Sequence, residues 1–154
     1  MTNEEMKNLF VEKGLTLGSV ESFTGGQFAS FITKIPGASK FFKGALVTYA
    51  TEEKERLLSI PHQDVVKYGV VSSEIALQMA EFGKEKLDVD YCLSFTGNAG
   101  PEAMEDKPVG LIYIGLSTPH FSKVSSFQLE GSRHSIQEKA VSLALTLIEE
   151  ALKN

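Results

Sequence analysis

Leu15-Thr16-Leu17-Gly18-Ser19-Val20-Glu21-Ser22-Phe23-Thr24-Gly25-Gly26 runs straight into Gln27-Phe28-Ala29-Ser30-Phe31-Ile32. Leu15 to Glu21 reads as a short strand, and Gly25-Gly26 break it. Phe28, Phe31, Ile32 and Ile35 then recur at helical spacing until Pro36-Gly37 close the helix. A strand that becomes a helix within a few residues is the opening of an α/β unit.

The pattern continues outward from that turn. Upstream, Thr2 and Glu5 have capping-box spacing, Met6, Leu9 and Phe10 share a face, and Gly14 ends a first helix. Downstream, Ala45 to Tyr49 is a second strand, and Thr51 is placed to cap a helix that starts Glu52-Glu53-Lys54. Pro61 to Gly69 is a connection with room for one helical turn. Ser72 caps an amphipathic helix carrying Ile75, Met79, Phe82 and Leu87. Tyr91–Phe95 and Val109–Leu116 are further strands, and Ser122–Leu129 returns antiparallel after Thr118-Pro119-His120. A last helix bears Ile136, Ala140, Leu143, Leu147 and Ala151, with Ser132 or Ser135 as its cap. Strands alternating with helices predict a three-layer α/β/α sandwich with a mixed, mostly parallel sheet of about five strands. With no repeat or linker, residues 1–154 form one expected domain.

Composition narrows the function classes. A net charge of −5 supplies no basic field, so no nucleic-acid partner is expected. No apolar run approaches membrane-spanning length and the N-terminus is acidic rather than signal-like, so no membrane partner and a cytoplasmic location are expected. Cys92, the single cysteine, sits in an apolar strand and reads as a core thiol. His62, His120 and His134 have no ligand spacing, so no metal and no cofactor are expected.

Two glycine-marked strand ends hold the candidate chemistry, where open α/β sheets bind ligands. In the first, Ser22 precedes a helix whose leading amides favour an anion or a developing oxyanion. Ser22 and Thr24 also read as simple helix caps. Lys54 falls in the first turn of its helix, where the dipole disfavours an ammonium; with burial it becomes a candidate base, and Tyr49 a candidate relay. A surface lysine and an edge tyrosine are the plain alternative. The second end, Thr96-Gly97-Asn98-Ala99-Gly100-Pro101, offers amides and a hydroxyl to a phosphate, yet lacks a Walker or Rossmann pattern. Arg133 is placed to reach a phosphate. Asp88, Asp90, Glu102, Glu105 and Asp106 read as exposed loop charge.

Together Glu21–Gly26, Pro36–Ser39, Val47–Tyr49, Glu52–Leu57, Tyr68–Ser72, Thr96–Pro101 and Lys107–Gly110 resemble, in order, the C-terminal domain family of the competence/damage-inducible protein CinA. The resemblance implies a nicotinamide-nucleotide amidase that converts nicotinamide mononucleotide to nicotinic acid mononucleotide and ammonia without a metal. It implies Ser22 as nucleophile, Lys54 as base and Tyr49 as relay. Thr24, Gly25, Gly26, Thr96, Gly97, Asn98, Gly100 and Arg133 would bind a small-molecule pyridine nucleotide, in a homo-oligomer. The sequence departs from the family pattern at five places: Phe23 for cysteine, Thr51 for asparagine, Glu102-Ala103-Met104 for a glycine-rich stretch, Asn98 for an apolar residue, and Gln137 where arginine is frequent. The rival readings are a non-catalytic nucleotide-sensing or interaction module of competence or DNA-damage physiology, and an amidase for another small amide.

Overall fold

The computed structural model describes residues 1–154. A first helix, α1 (Asn3–Lys13), carries the expected reciprocal capping box between Thr2 and Glu5 and ends on left-handed Gly14. Strand β1 (Leu17–Glu21) follows, then α2 (Gln27–Thr33), a 3-10 turn at Ala38–Lys40, and β2 (Phe42–Val47). Three helices come next: α3 (Thr51–Leu58), α4 (His62–Tyr68) and α5 (Ser73–Leu87). Strands β3 (Tyr91–Gly97), β4 (Leu111–Ser117) and β5 (Ser122–Gln128) lead to the long α6 (Arg133–Lys153).

The sheet order is β2-β1-β3-β4-β5. β1 pairs in parallel with β2 and β3, whereas β4 is antiparallel to both β3 and β5. Four strands therefore run one way and β4 alone opposes them. Helices cover both faces. α1, α2 and α6 bury Phe10, Phe28, Ile32, Ala140 and Ile148 against Leu17, Leu93, Phe95, Ile112 and Ile114. On the other face, α3, α4 and α5 bury Leu58, Val65, Ile75 and Met79 against Val20 and Cys92. This is the three-layer sandwich that alternating strands and helices predict.

Several local expectations change. The Pro61–Gly69 connection is a seven-residue helix, because Val65 faces inward at 8% exposure and joins the smaller core. Thr51 is the first residue of α3 and not its cap; Ala50 holds the cap position, with no side-chain bond. Ser132, not Ser135, caps α6, its hydroxyl accepting the Ser135 amide. Asp90 is tied down by the amide and hydroxyl of Thr16 and is not loose charge.

Register sets the site. Glu21 lies level with Val47 of β2 and Phe95 of β3, so β1 and β2 end together and β3 runs two residues beyond them. The chain leaves β1 for β2 on one side and leaves β3 for β4 on the other. The crevice between the ends of β1 and β3 is thus a topological switch point, where such sheets bind ligands.

Candidate active site

Ser22 begins the turn after β1, its amide bonded to the Phe95 carbonyl at 3.1 Å. On the other side of β1, the Thr48 amide bonds the Glu21 carbonyl at 2.8 Å, extending the β1–β2 ladder by one residue. α3 starts three residues later and presents Lys54 and Leu58, one helical turn apart, to the interior. Lys54 is 1% exposed. Its Nζ lies 3.0 Å from Ser22 Oγ and 2.7 Å from the Thr48 carbonyl oxygen. Two residues 32 positions apart in sequence are brought into hydrogen-bond contact by the backbone pairing at the ends of β1 and β2, which sets the turn with Ser22 beside the start of α3.

Burial pushes the Lys54 ammonium down from 10.5 to about 8, against the opposing pull of the Glu105 and Glu52 carboxylates. About one lysine in ten is then neutral at pH 7, compared with about one in three thousand for an unperturbed side chain. A neutral amine in contact with a hydroxyl is able to accept its proton, the arrangement that activates a serine oxygen.

The expected open anion site at the start of α2 is corrected. Glu21 is fully buried, and its carboxylate takes the amides of Gly26, Phe28 and Ala29 at 3.2, 3.0 and 3.0 Å. The hydroxyls of Thr24 and Ser19 also donate to it, at 2.8 and 3.3 Å. The helix's donors are occupied by the protein's own anion. Thr24, Gly25 and Gly26 consequently sit behind Ser22 and do not line the cleft. The amides of Phe23 and Thr24, next in the chain after Ser22, make no hydrogen bond within the protein. Of the two, the Phe23 amide belongs to a residue of the cleft beside Ser22.

Ser22 and Lys54 open into a cleft of about 330 Å³ that also contains Tyr49, Thr96, Gly97, Asn98, Gly100, Glu102 and Arg133. Tyr49 is 60% exposed, and its hydroxyl accepts Arg133 Nη2 at 2.9 Å while making no bond to Ser22 or Lys54. The expected relay contact is absent; Tyr49 stands at the rim with Arg133. The Arg133 Nη1 also donates to the Gly100 carbonyl at 2.6 Å. Thr96 spends its hydroxyl on the Val70 carbonyl at 2.6 Å. Asn98 turns its amide away from the ligand space. It donates to the Met104 and Lys107 carbonyls, each at 3.2 Å, and accepts the Met104 amide at 3.1 Å. Beyond it, the Ala99 and Gly100 amides have no partner in the protein.

Three side chains that sequence reasoning set aside help build the site. Glu105 is a strap and not loose charge: its carboxylate accepts the Val70 and Val71 amides at 2.8 and 3.0 Å, closing the 98–107 loop over the cleft. Gln137 donates to the Phe23 carbonyl at 2.8 Å and accepts from Gln27 at 2.7 Å, steadying the turn after Ser22. Phe23 itself is 4% exposed and packs into the larger core. The glutamate at the last position of a buried strand was the one readable signal, since a charge there needs partners. No group of three or more His, Cys, Asp or Glu is placed to hold a metal ion. A wider groove of about 770 Å³ between α5 and the β4–β5 turn, containing Leu77, Lys84 and Phe121, includes none of the candidate residues.

The model of the CinA C-terminal domain matches residues 1–152. The chain belongs to that family. A competence-damage inducible protein of Limosilactobacillus reuteri is 44% identical over 145 residues, 92% of this chain and 35% of the relative. A CinA-like protein of Dictyoglomus thermophilum is 41% identical over 98% of this chain and 37% of its own length. The chain thus spans about a third of the curated CinA relatives it matches. Its fold superimposes on the crystal structure of a competence damage-inducible protein A from Klebsiella pneumoniae with a TM-score of 0.95 at 24% identity, covering 99% and 95% of the two chains. These names speak of competence and damage and specify no reaction. No helix of this CinA domain is long and apolar enough to cross a membrane.

Proposed function

We propose that the chain is a serine amidase that hydrolyses the carboxamide of nicotinamide mononucleotide to the carboxylate and ammonia. The observation that carries this reading is the 3.0 Å contact between Ser22 Oγ and a buried Lys54 whose ammonium is destabilised. Neutral Lys54 accepts the Ser22 proton as Oγ bonds to the carboxamide carbon. The Phe23 amide, in the cleft beside Ser22, is the donor available to the resulting oxyanion. Lys54 then returns the proton to nitrogen, the C–N bond breaks and ammonia leaves. Water attacks the ester with Lys54 again as base, and Ser22 regains its proton. The Thr48 carbonyl accepts a hydrogen bond from the amine throughout and keeps it aimed at the hydroxyl.

Arg133 and the unpaired Ala99 and Gly100 amides supply donors for a phosphate at the cleft. Phosphate binding would contribute remote binding energy, making free nicotinamide a poor substrate. Tyr49 belongs with Arg133 in this reading, as a rim residue that orients the guanidinium. An amidase for another small amide is favoured by one feature: Glu102 stands in the same cleft, where it opposes an anion. Ammonia release from nicotinamide mononucleotide, measured for the native chain and for Ser22→Ala, tests the proposal. A fall of about 10³-fold or more in the variant is expected; equal traces from both would remove the enzyme reading. A panel of unphosphorylated carboxamides separates the two amidase readings.

A further inference from the structure

The cleft wall between residues 100 and 104 is anchored at both ends. The Gly100 carbonyl is held by Arg133, and both backbone polar groups of Met104 are held by the Asn98 side chain. Between these anchors lies Glu102, which shares the cleft with Ser22 and Lys54. Its carboxylate takes part in none of the ion pairs of the molecule. Arg133 is also in the cleft, but its guanidinium is committed to Gly100 and Tyr49 and makes no ion pair with Glu102. The cleft therefore presents one unpaired negative charge on a braced segment, in addition to a cation at its rim.

We propose that Glu102 is a specificity-determining residue that recognises the positive charge of a pyridinium ring, so that the cleft selects an N-substituted pyridinium carboxamide over its uncharged dihydropyridine form. The inference rests on the amidase reading above and names what that site distinguishes. A pyridine ring whose nitrogen carries a sugar is a cation, and that nitrogen lies two ring atoms from the carbon bearing the carboxamide. With the carboxamide at Ser22, the ring's charge must lie inside the cleft. Lys54 cannot balance it, because a second cation nearby only drives the amine further toward its neutral, basic form. Glu102 supplies the countercharge, and its lack of any protein partner leaves no ion pair to break on binding. The same carboxylate that opposes a phosphate placed next to it suits a zwitterionic substrate, provided the phosphate reaches Arg133 and the ring stays with Glu102.

Oxidised and reduced nicotinamide mononucleotide share sugar, phosphate and carboxamide and differ in ring charge. Binding of each to Ser22→Ala and to Ser22→Ala/Glu102→Gln, measured by calorimetry, isolates the charge without turnover. The glutamine is expected to weaken the oxidised form by about three- to tenfold, the range for a partly solvated charge pair, and to leave the reduced form within about twofold. Equal shifts for both forms, or no shift for the oxidised one, overturn the role of Glu102. If the native chain still releases ammonia in that case, only this inference fails. If the oxidised form neither binds Ser22→Ala nor is hydrolysed by the native chain, the amidase reading fails and takes this inference with it.

Discussion

Lys54 sits where an ammonium ion is doubly disfavoured: it is out of water, and it is in the first turn of a helix whose positive end faces it. Two consequences follow from a group at about 8 in place of 10.5. For catalysis, the base must be unprotonated, so kcat/KM should rise about tenfold per pH unit below pH 8 and level off above it. A pH–rate profile that stays flat from 6 to 9 would remove Lys54 as the base. For stability, the slope with pH has the same sign as for a paired carboxylate, because both pKa values are lowered on folding, but here the charged form is the one that costs. Between pH 8 and 10.5 the unfolded chain holds a proton that the native chain has released, so stability rises with pH across that window. Below it both states are protonated and the burial cost, about 3 kcal/mol, is fully present. Lys54→Met removes that cost but also the bonds to Thr48 and Ser22, each worth about 1 kcal/mol. Urea denaturation at pH 7 should find the variant more stable by about 1–2 kcal/mol, the gap narrowing by pH 10, with ammonia release abolished. A variant that is markedly less stable at pH 7 would show that the native lysine is not strained by its burial.

At the scale of elements, α2 is a seven-residue helix whose leading amides are satisfied by one buried side chain, Glu21. Five donors converge on that carboxylate, and it adjoins Ser22 in sequence. Glu21→Gln keeps one acceptor oxygen, turns an NH₂ toward former donors and removes the charge that complements the helix. A loss of about 2–4 kcal/mol in urea denaturation is expected, with a drop in activity as the turn at Ser22 relaxes. Unchanged stability would mean water replaces the carboxylate. This cage also marks the limit of what the sequence discloses. The strand, the glycines and the helix were readable from local spacing, as were Ser72 as a cap and the stripe on α6, because periodicity and caps are local signals. Where the amides of α2 point was not, since Glu21 has to turn inward for that to happen. The same holds for Glu105, which reads as loop charge until the 69–71 turn is folded under it, and for Asn98, whose partners lie six and nine residues onward. Ser22 and Lys54 were legible as candidates from their places at strand and helix ends and from family resemblance; their contact depends on the β1–β2 pairing. Tyr49 failed as a relay because sequence adjacency to the lysine helix says nothing of Arg133, 84 residues away, which holds the phenol.

At the scale of the molecule, the sheet has two unlike faces, and the site depends on the quieter one. The face toward α1, α2 and α6 is filled by large side chains, whereas under α5 the sheet presents Gly18, Val20, Cys92, Ser94 and Gly115. Small residues there let α5 lie close. Ser94 ties the two layers directly, donating to the Ala76 carbonyl at 2.6 Å and accepting the Gly115 amide at 3.2 Å. On the helix side, Gly83 faces Val20 and Cys92, and an added methyl would overlap Val20 Cγ2 and approach Cys92 Sγ to 3.0 Å. Gly83→Ala should gain from helix propensity by about 1 kcal/mol, since alanine suits a helix interior. Overpacking, worth about 1–3 kcal/mol or more when the neighbour is rigid strand, should outweigh it. Val20 is fully buried in β1, its β-branched side chain has few rotamers to yield into, and it stands two residues before Ser22. Strain passed along the strand would reach Ser22, so activity should fall more than the lost stability alone explains at a temperature where the variant remains folded. Val20→Ala supplies the space, so Gly83→Ala/Val20→Ala should be more stable than the sum of the single changes predicts, by about 1 kcal/mol or more. A double-mutant cycle in urea with parallel ammonia assays checks both halves. Strict additivity would mean that α5 retreats as a body, leaving β1 and the Ser22–Lys54 contact undisturbed.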